Sequence, residues 1–541
     1  MIAKFFVLVF SLNVLIVFAL KSQPQSITWK KILKDKEFTE NVFTKGNDED
    51  FIRINFKVND NGKGIEYYFL SRYNLQLEEA TREKIIPAGN PQFLVNVKNN
   101  LYLITKTGDK KISTFNCQKF NSTTLKSQGE PIVIGTFDNS IGNILFSPSI
   151  EVSVSDDSSQ ILFSIRYKDG AALNDFSRLY WTSNFYVFTS DMEKIWDKKV
   201  DYLYNDINLA ETIENPIITN KGDVIQVIRH YAQSIIKKVN TIYCDESEKP
   251  AYQIELVTYS KGQTEKLIPV ISDGKILGNV FFVGSKENMF SFFSLYGNKE
   301  HGKTAGYLLF DMDLATQKIE MKTTGVFPEE IIQEAVENKE GSDKKSDPGL
   351  GEDFLLAKSL KRSNASTDYL LEFTSYNTIS ISSSNYNGHY SRADDYVQNI
   401  FGDIIGINIS ANYQKATFFR LPKMFIIDRV YDAPFSNIFA TENNNKLYLF
   451  YNDNPDNIDI PLNTKPKKLS KIQKGILAMA EVDEGNNILK RVPILKNEDY
   501  FVLPKRCISI SPEKVFLSSN SPNVLYFPSN RIWLEGVLSI Q

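Results

Sequence analysis

The sequence predicts an all-β protein, a β-propeller of about seven four-stranded blades with a short helical insertion. Three observations predict it: a hairpin pattern recurs about seven times, a second hairpin follows most copies, and strand-forming aromatic residues are abundant. Aromatic residues make up 12% and hydrophobic residues 42% of the 541 residues, which is enough for a large β core. Because a four-stranded unit cannot bury its apolar face alone, we expect the units to stack around an axis.

The recurring hairpin is clearest at residues 186–200 (YVFTSDMEKIWDKKV), where apolar and polar positions alternate on both sides of a turn that Asp191 opens. Further copies lie at residues 68–87, 111–132, 254–270, 307–328, 404–423 and 476–494. The second element is a weak strand, an Asn/Gly/Lys turn and a strong aromatic strand, at residues 93–105, 216–228, 280–295, 437–451 and 508–519. Each module therefore supplies about four strands.

The sequence leaves alternatives for the number of blades and predicts how the ring closes. The copies are spaced by roughly 45 to 100 residues, longer than the usual blade repeat of about 40 to 45, so six or eight blades, or two smaller β domains, are alternatives. A ring must be closed to remove its exposed edges. Residues 51–58 (FIRINFKV) and 531–540 (RIWLEGVLSI) are expected to share one blade and close it.

The start of the chain predicts export. Lys4 precedes an apolar run over residues 5–20, and Val17-Phe18-Ala19 fits a small-residue cleavage rule, as in a signal peptide. The expected organisation is a signal peptide at 1–20, an N-terminal segment at 21–50 and a propeller at 51–541. No later run is long enough to span a bilayer as a helix, so a secreted or periplasmic protein with no transmembrane segment after cleavage is expected; an uncleaved anchor is the alternative.

Residues 328–351 interrupt the β pattern. Pro328, acidic residues in the first turn and an apolar side formed by Ile331, Ile332, Ala335 and Val336 predict a short amphipathic helix. A polar Gly/Pro-containing stretch follows at 341–351 and predicts a mobile surface loop. The insertion is either a lid or partner clasp, or a tolerated insertion between strands.

One loop is the main candidate for a contact site. Residues 382–403 concentrate aromatic and charged groups between strands, as the binding face of a propeller does. The candidate binding residues are Tyr386, His389, Tyr390, Arg392, Asp394 and Asp395. A solvated loop without a partner is the alternative.

Asp453, Asp456 and Asp459, interleaved with Asn, form the candidate metal site. Dense oxygen ligands suit calcium, but the spacing differs from a 12-residue EF-hand loop, and Asn and Asp also dominate ordinary turns. We expect no cofactor, with calcium as the alternative.

The remaining features argue against several activities. The sequence contains no GxSxG, HExxH or phosphate-binding Gly loop, so it assigns no catalytic residue. The net charge of −3, without a basic stripe, argues against nucleic-acid binding. Cys117, Cys244 and Cys507 match no metal or disulfide pattern and are expected to be buried small residues, with one disulfide as the alternative.

Several segments together resemble a group of secreted propeller-like proteins of Bacteroidetes-type bacteria. They are the signal peptide, the 186–200 hairpin, GDIIGINIS at 402–410 leading to Leu421-Pro422-Lys423, and KLYLFYNDNPDN at 446–457. The resemblance implies the propeller fold and export, but no activity and no site residues.

These observations favour a non-enzymatic propeller that binds a protein or glycan of the cell envelope through the loops at 328–351 and 382–403. The alternative is a glycan- or peptide-acting hydrolase whose carboxylates gather at the mouth of the propeller channel.

Overall fold

Eight antiparallel sheets, arranged as the blades of a β-propeller, make up the part of the chain that the structure describes. The structure is a computed structural model. It describes residues 27–30, 37–46, 50–59, 65–108, 112–138, 148–169, 180–202, 209–212, 215–231, 252–263, 266–297, 304–337, 354–381, 394–428, 438–497, 501–504, 507–520 and 533–540. The predicted fold class is confirmed, with eight blades rather than about seven.

Blades 1 to 4 follow one another along the chain. Blade 1 contains β2 (Glu37–Lys45), β3 (Phe51–Val58), β4 (Ile65–Tyr73) and β5 (Glu79–Ile85). Blade 2 contains β6 (Asn90–Val97), β7 (Asn100–Gly108), β8 (Ile112–Asn121) and β9 (Ile132–Asp138). Blade 3 contains β10 (Ser149–Val154), β11 (Gln160–Asp169), β12 (Tyr180–Thr189) and β13 (Lys194–Tyr202). Blade 4 contains β14 (Leu209–Thr212), β15 (Ile217–Ile218), β16 (Val224–Tyr231), β17 (Tyr252–Tyr259) and β18 (Lys266–Pro269).

Blades 5 to 8 complete the ring, and β1 (Ile27–Lys30) joins the last of them. Blade 5 contains β19 (Ile276–Lys286), β20 (Met289–Gly297), β21 (Gly306–Asp313) and β22 (Lys318–Val326). Blade 6 contains β23 (Phe354–Lys361), β24 (Thr367–Ile381), β25 (Asp394–Ile409), β26 (Ala416–Leu421) and β27 (Phe425–Asp428). Blade 7 contains β28 (Phe439–Asn443), β29 (Lys446–Asp453), β30 (Ile476–Val482) and β31 (Ile488–Lys496). Blade 8 contains β32 (Phe501–Val502), β33 (Ile508–Ser511), β34 (Lys514–Asn520), β35 (Trp533–Ser539) and β1. The helix α1 (Glu329–Glu337) lies between blades 5 and 6, and 3₁₀ turns occur at Pro455–Asn457 and Ile472–Lys474.

The ring closes through strands from the two ends of the chain. In blade 8, β1 pairs antiparallel with β35, from Ile27 opposite Leu538 to Lys30 opposite Glu535. The expectation that residues 51–58 and 531–540 share one blade is wrong, because residues 51–58 form β3 of blade 1. The closing strand comes from residues that precede β2, so the propeller includes strands before residue 51.

Apolar clusters between neighbouring blades form the core. Among the described residues, every pair of consecutive blades shares such a cluster, including blades 8 and 1, where Phe51 packs against Phe516 and Val537. The second and third strands of a blade are covered by neighbouring blades on both faces, so their sequences are almost continuously apolar. In β30, the third strand of blade 7, every residue is buried. The fourth strands are much more exposed, as in β22. The first strands of neighbouring blades contact each other (β2 with β6, β19 with β23, β23 with β28) and therefore form the inner ring.

The connections divide the propeller into two faces. Because neighbouring strands run in opposite directions, turns between strands one and two and between strands three and four emerge at one face, here called the short-turn face. It includes two-residue turns in which Lys98-Asn99 and Asn444-Asn445 have positive φ, as tight hairpins require. The other connections, within and between blades, emerge at the opposite side, the long-connection face.

Three apolar residues in turns of the short-turn face have a left-handed backbone conformation and bury their side chains between blades. Leu77, Leu125 and Met192 have φ of 58°, 58° and 67° in turns between third and fourth strands. This conformation is costly for a residue with a side chain. Each of the three side chains is buried in the cluster that its blade shares with the preceding blade, which offsets that cost.

Two of the three cysteines lie in described segments. Cys117 and Cys507 are buried free thiols, as expected. Burial raises the pKa of the Cys117 thiol to about 12 and that of Cys507 further, which keeps both in the unreactive protonated form. Cys244 lies outside the described residues.

Candidate functional site

A long two-stranded ribbon in blade 6 is the most distinctive feature of the long-connection face. β24 has 15 residues and β25 has 16, whereas their partner β23 has 8 and pairs with β24 only as far as Phe354 opposite Phe373. Residues 374–381 and 394–401, here called the blade 6 ribbon, continue beyond that point. At about 3.3 Å per residue the ribbon extends roughly 25 Å past the end of the β23 pairing.

Two neighbouring elements support the ribbon on the same face. α1 confirms the predicted helix, and Ile331 and Ile332 pack against the apolar cluster between blades 5 and 6. The connection of blade 7 at residues 454–475 attaches to β27: the Leu469 amide donates to the Met424 carbonyl (2.8 Å), and the Ile426 amide donates to the Leu469 carbonyl (2.9 Å). The base of the ribbon therefore lies among packed elements of blades 5, 6 and 7.

Part of the predicted contact loop at 382–403 is a strand: residues 394–403 belong to β25, and residues 382–393 lie outside the described residues. Asp394 and Asp395 begin β25, with backbones opposite Ile381 and Ser380. Tyr386, His389, Tyr390 and Arg392 lie outside the described residues, as does the expected loop at 341–351. The binding role of these six residues therefore stays a prediction, and the structure adds the framework that carries them.

A buried ionic cluster lies beneath the ribbon. Its members come from blades 6 and 7 and are between 1% and 4% exposed: Glu372, Asp403, Arg420, Lys423 and Asp453. Lys423 Nζ contacts the Glu372 carboxylate, Arg420 Nε donates to Asp403 Oδ2 (2.8 Å), and the Lys423 amide donates to Asp403 Oδ1 (3.2 Å). Arg420 Nη1 also donates to the Leu462 carbonyl in the blade 7 connection (2.8 Å).

Three strands break register at the level of this cluster. The β24–β25 pairing skips Phe373 on one strand and residues 402–403 on the other, and residues 422–424 separate β26 from β27. A β-bulge redirects side chains, and here it turns charged groups inward. Gly402 fits because a Cβ there would lie 2.8 Å from the Phe373 ring. The ionic cluster thus fills the junction between blade and ribbon.

Desolvation dominates the titration of the cluster. Burial raises the pKa of Asp453 to about 7, against hydrogen bonds from Asn457 Nδ2 (2.7 Å) and the Asn454 amide (2.8 Å) that lower it. Burial also raises the pKa of Asp403 to about 6, although the Arg420 guanidinium opposes the shift. The pKa of Glu372 is raised in the same way, with Lys423 opposing. Since water does not reach these groups, their arrangement suits a structural junction rather than a substrate site.

Raising the pH from 5 to 8 is expected to lower the free energy of unfolding by about 2–3 kcal/mol through Asp453. Its folded-state pKa lies above its ordinary value of 3.8, so the native state holds the proton more tightly than the unfolded state. That stabilisation is complete below pH ~4 and is lost as the pH rises through about 7. Denaturant titrations across this range measure it.

Asp453→Asn is expected to flatten this pH dependence, because the amide is neutral throughout and its oxygen can still accept the Asn454 amide. Asp456→Asn is the control, since the Asp456 side chain is 59% exposed and pairs only with exposed Lys467. An unchanged slope in the Asp453 variant would contradict the assignment.

The three candidate metal ligands have different surroundings. Asp453 is buried and accepts hydrogen bonds from Asn457 Nδ2 and from the Asn454 and Met424 amides. Asp456 is exposed beside Lys467 (2.9 Å), and Asp459 is exposed. Asn454 Oδ1 accepts the Asp456 amide (3.1 Å), which is ordinary turn chemistry. Within the described residues, no group of three or more His, Cys, Asp or Glu side chains is placed to hold a metal ion. Calcium binding stays a prediction, and melting temperatures with calcium and with chelator check it.

Glu151 is the carboxylate that bears on the hydrolase alternative. It lies on β10, the first strand of blade 3, at the end nearer the long-connection face. Burial raises its pKa, with Arg166 opposing, and the Asn215 amide, oriented to donate, reaches both carboxylate oxygens (3.0 and 2.9 Å). A raised carboxyl pKa is what a general acid needs, but a glycosidase also needs a second carboxylate.

Comparisons with known proteins add the following. No protein-family model and no curated protein matches the sequence. Among solved structures, a family PL25 polysaccharide lyase, an ulvan lyase, is 11% identical with a TM-score of 0.33, covering 82% of this chain and 91% of that chain. A mutant of Synechocystis apocarotenoid oxygenase is 9% identical with a TM-score of 0.27, covering 96% of this chain and 94% of that chain. Likenesses this weak carry no argument about activity.

The sequence did contain a signal for the ionic cluster. Glu372 interrupts an apolar strand (LLEF), and Asp403 precedes another (GDIIGI). Isolated charges within apolar strands are rarely buried without partners.

In the part of the chain that the structure describes, no helix is long and apolar enough to cross a membrane.

Proposed function

We propose that this protein is an exported, non-enzymatic propeller that binds a protein or glycan of the cell envelope through its long-connection face. One observation carries the proposal: blade 6 projects a ribbon from that face, where β24 and β25 are nearly twice as long as β23. Binding residues commonly lie on loops that a rigid scaffold holds in place. Asp394 and Asp395 begin the second strand of this ribbon, and the other candidate contact residues belong to the segment of sequence that joins its two strands.

The base of the ribbon supports a binding role. The ionic cluster and the pairing of the blade 7 connection with β27 join the base of the ribbon to its neighbours. A partner then meets a preorganised surface, which lowers the entropic cost of association. The charges used for this are buried, so they stabilise the platform and leave recognition to the tip.

Export is part of the proposal, because the signal peptide predicted at residues 1–20 places the protein outside the cytoplasm. N-terminal sequencing of the protein purified from its own cells is expected to find a chain that begins after Ala19. A chain that retains residues 1–20 would contradict it.

Cross-linking tests the binding role. The tagged, processed protein is cross-linked in its own cell envelope and captured, and its partners are read by mass spectrometry. The matched variant lacks residues 377–398 and joins Tyr376 to Asn399 through an Asn-Gly turn, which removes the ribbon tip and keeps a tight hairpin.

A stoichiometric partner that the parent captures and the ribbon-deleted variant loses is the expected result. Asp191→Ala on the short-turn face, where Asp191 is 72% exposed, is the control and should retain the partner. Identical partners with and without the ribbon would contradict the proposal.

The alternative function is a glycan- or peptide-acting hydrolase with carboxylates at the channel mouth, and Glu151 with its raised pKa is the observation that favours it. Hydrolysis of envelope glycans or peptides that Glu151→Gln abolishes, with an unchanged melting temperature, would replace the binding proposal.

A further inference from the structure

Within the described residues, the channel-side edge of the blade 6 ribbon is an open β-strand edge. The first strand β23 covers this side of β24 only as far as Phe373. From Ser375 to Ile381, β24 pairs with β25 on its other side, and no strand among the described residues pairs with its channel side. Alternate residues of this stretch therefore direct backbone N–H and C=O groups to the open side.

The two edges of the ribbon differ in how well they are protected against pairing with another β-strand. On the outer side, β27 covers β25 at residues 398–401, and the uncovered stretch beyond it begins with Asp394 and Asp395. Charged residues and covering strands are how proteins prevent unwanted pairing at an edge. On the channel side, residues 375–381 (SYNTISI) contain no charged residue and no proline, and they are rich in strand-forming residues.

We propose that this edge binds an extended polypeptide segment of a partner protein by β-strand addition, with the peptide entering in line with β23. A row of alternating backbone donors and acceptors is satisfied by another peptide backbone, which favours a protein over a glycan. The chain's own adjoining segment, residues 338–353, contains Pro348 and three glycines, so it is poorly suited to supply the strand. The proposal rests on the proposed binding function and specifies its partner.

The first test uses peptides selected from a phage-displayed library of random ten-residue sequences against the processed protein. A selected peptide is synthesised, labelled for fluorescence anisotropy, and N-methylated at one position at a time. Strand addition predicts that affinity falls about tenfold or more at alternate positions and changes little at the positions between. A uniform or irregular pattern would overturn the proposal, as would failure to enrich any peptide.

The second test uses paired variants of the protein. Asn377→Pro and Thr378→Pro remove adjacent backbone N–H groups, of which one faces the open edge and the other faces β25. The edge-facing variant should keep the parent melting temperature and lose peptide binding at least about tenfold. Asn377→Ala and Thr378→Ala keep the N–H groups and should keep binding. Alanine variants that lose as much as the proline variants would show side-chain recognition and overturn strand addition.

The remaining outcomes separate this proposal from the proposed function. If the parent protein sediments as a dimer and the edge-facing proline variant as a monomer, the edge binds a second copy of this chain. That result would overturn the proposal of a partner protein. A second outcome is an envelope partner that is lost with the ribbon, together with a peptide whose affinity does not fall at alternate N-methylated positions. That outcome would support the binding function and overturn strand addition. A partner captured equally by the parent and by the ribbon-deleted variant would contradict the proposed binding function itself.

Discussion

Arg362→Ala is expected to lower the free energy of unfolding by about 3–5 kcal/mol. The guanidinium is fully buried and all five of its N–H groups have acceptors. Nε and Nη2 donate to the two carboxylate oxygens of Asp368 (2.6 and 2.9 Å), and Nη2 also donates to Asn486 Oδ1 (2.9 Å). Nη1 donates to the carbonyls of Asn445 (3.1 Å) and Asp483 (2.6 Å).

The size of this effect follows from what alanine leaves behind. Among the described residues, Asp368 would keep the Asn408 amide as its side-chain partner (2.9 Å). The turns of blades 6 and 7 would lose the three hydrogen bonds that Arg362 makes to blade 7 and keep those of Ser363 and Asn364. Arg362→Lys is expected to recover only part of the loss, because an ammonium cannot reproduce the planar fork. Denaturant titration measures both variants.

Lys467→Ala is the control for Arg362, since its partner Asp456 and Lys467 itself are 59% and 62% exposed and such pairs contribute about 0–1 kcal/mol. If Arg362→Ala costs no more than this control, the turns of blades 6 and 7 do not depend on the buried arginine.

Lys423→Met is expected to have a comparable effect, a loss of about 3–5 kcal/mol, because it leaves Glu372 buried without its cation. Both side chains are 2% exposed, and the Lys423 ammonium lowers the pKa of Glu372, Asp403 and Asp453 against their burial. Its removal should therefore raise these three pKa values further and steepen the loss of stability with rising pH. Unfolding titrations at pH 5 and pH 8 measure both consequences.

A second substitution separates charge from packing. Glu372→Met combined with Lys423→Met replaces the ion pair with apolar side chains and should recover most of the loss, as buried pairs often allow. Lys446→Met is the control, since Lys446 is 43% exposed beside Glu481 and should cost under ~1 kcal/mol. A double variant no more stable than Lys423→Met would show that the junction depends on something other than charge balance.

These predictions give the two faces of the blade 6–blade 7 contact different roles. On the short-turn face, the arginine network has complete hydrogen bonding and fixes one turn against another. On the long-connection face, the ionic cluster has three carboxyl groups and two basic groups, and Asp453, with a pKa of about 7, can balance it by taking a proton. The blades are therefore joined firmly at both faces, and the ribbon rises from the face whose junction responds to pH.

The residues of the candidate site show how far local pattern can be interpreted. The aromatic and charged segment at 382–403 was visible as composition, but its residues 394–403 form part of β25, and Asp403 is buried at the base of the ribbon. The ionic cluster was not predicted, because Glu372, Asp403, Lys423 and Asp453 meet only when bulges in three strands and a connection of the next blade coincide. The charge of Glu372 within an apolar strand signals a buried partner, but the sequence does not show which residue that partner is.

By itself the sequence determined the local units. These are seven hairpins, one in each of blades 1 to 7, and a helix whose Ile331 and Ile332 pack against the cluster between blades 5 and 6. Only the tertiary structure decided the eighth blade, since its third and fourth strands are β35 and β1, from opposite ends of the chain, and form no local hairpin. Alternation and turn residues act between near neighbours, whereas pairing of distant strands depends on how the whole chain closes. Local pattern therefore predicted seven hairpins correctly, whereas the ring has eight blades because the eighth is completed by strands that are distant in sequence.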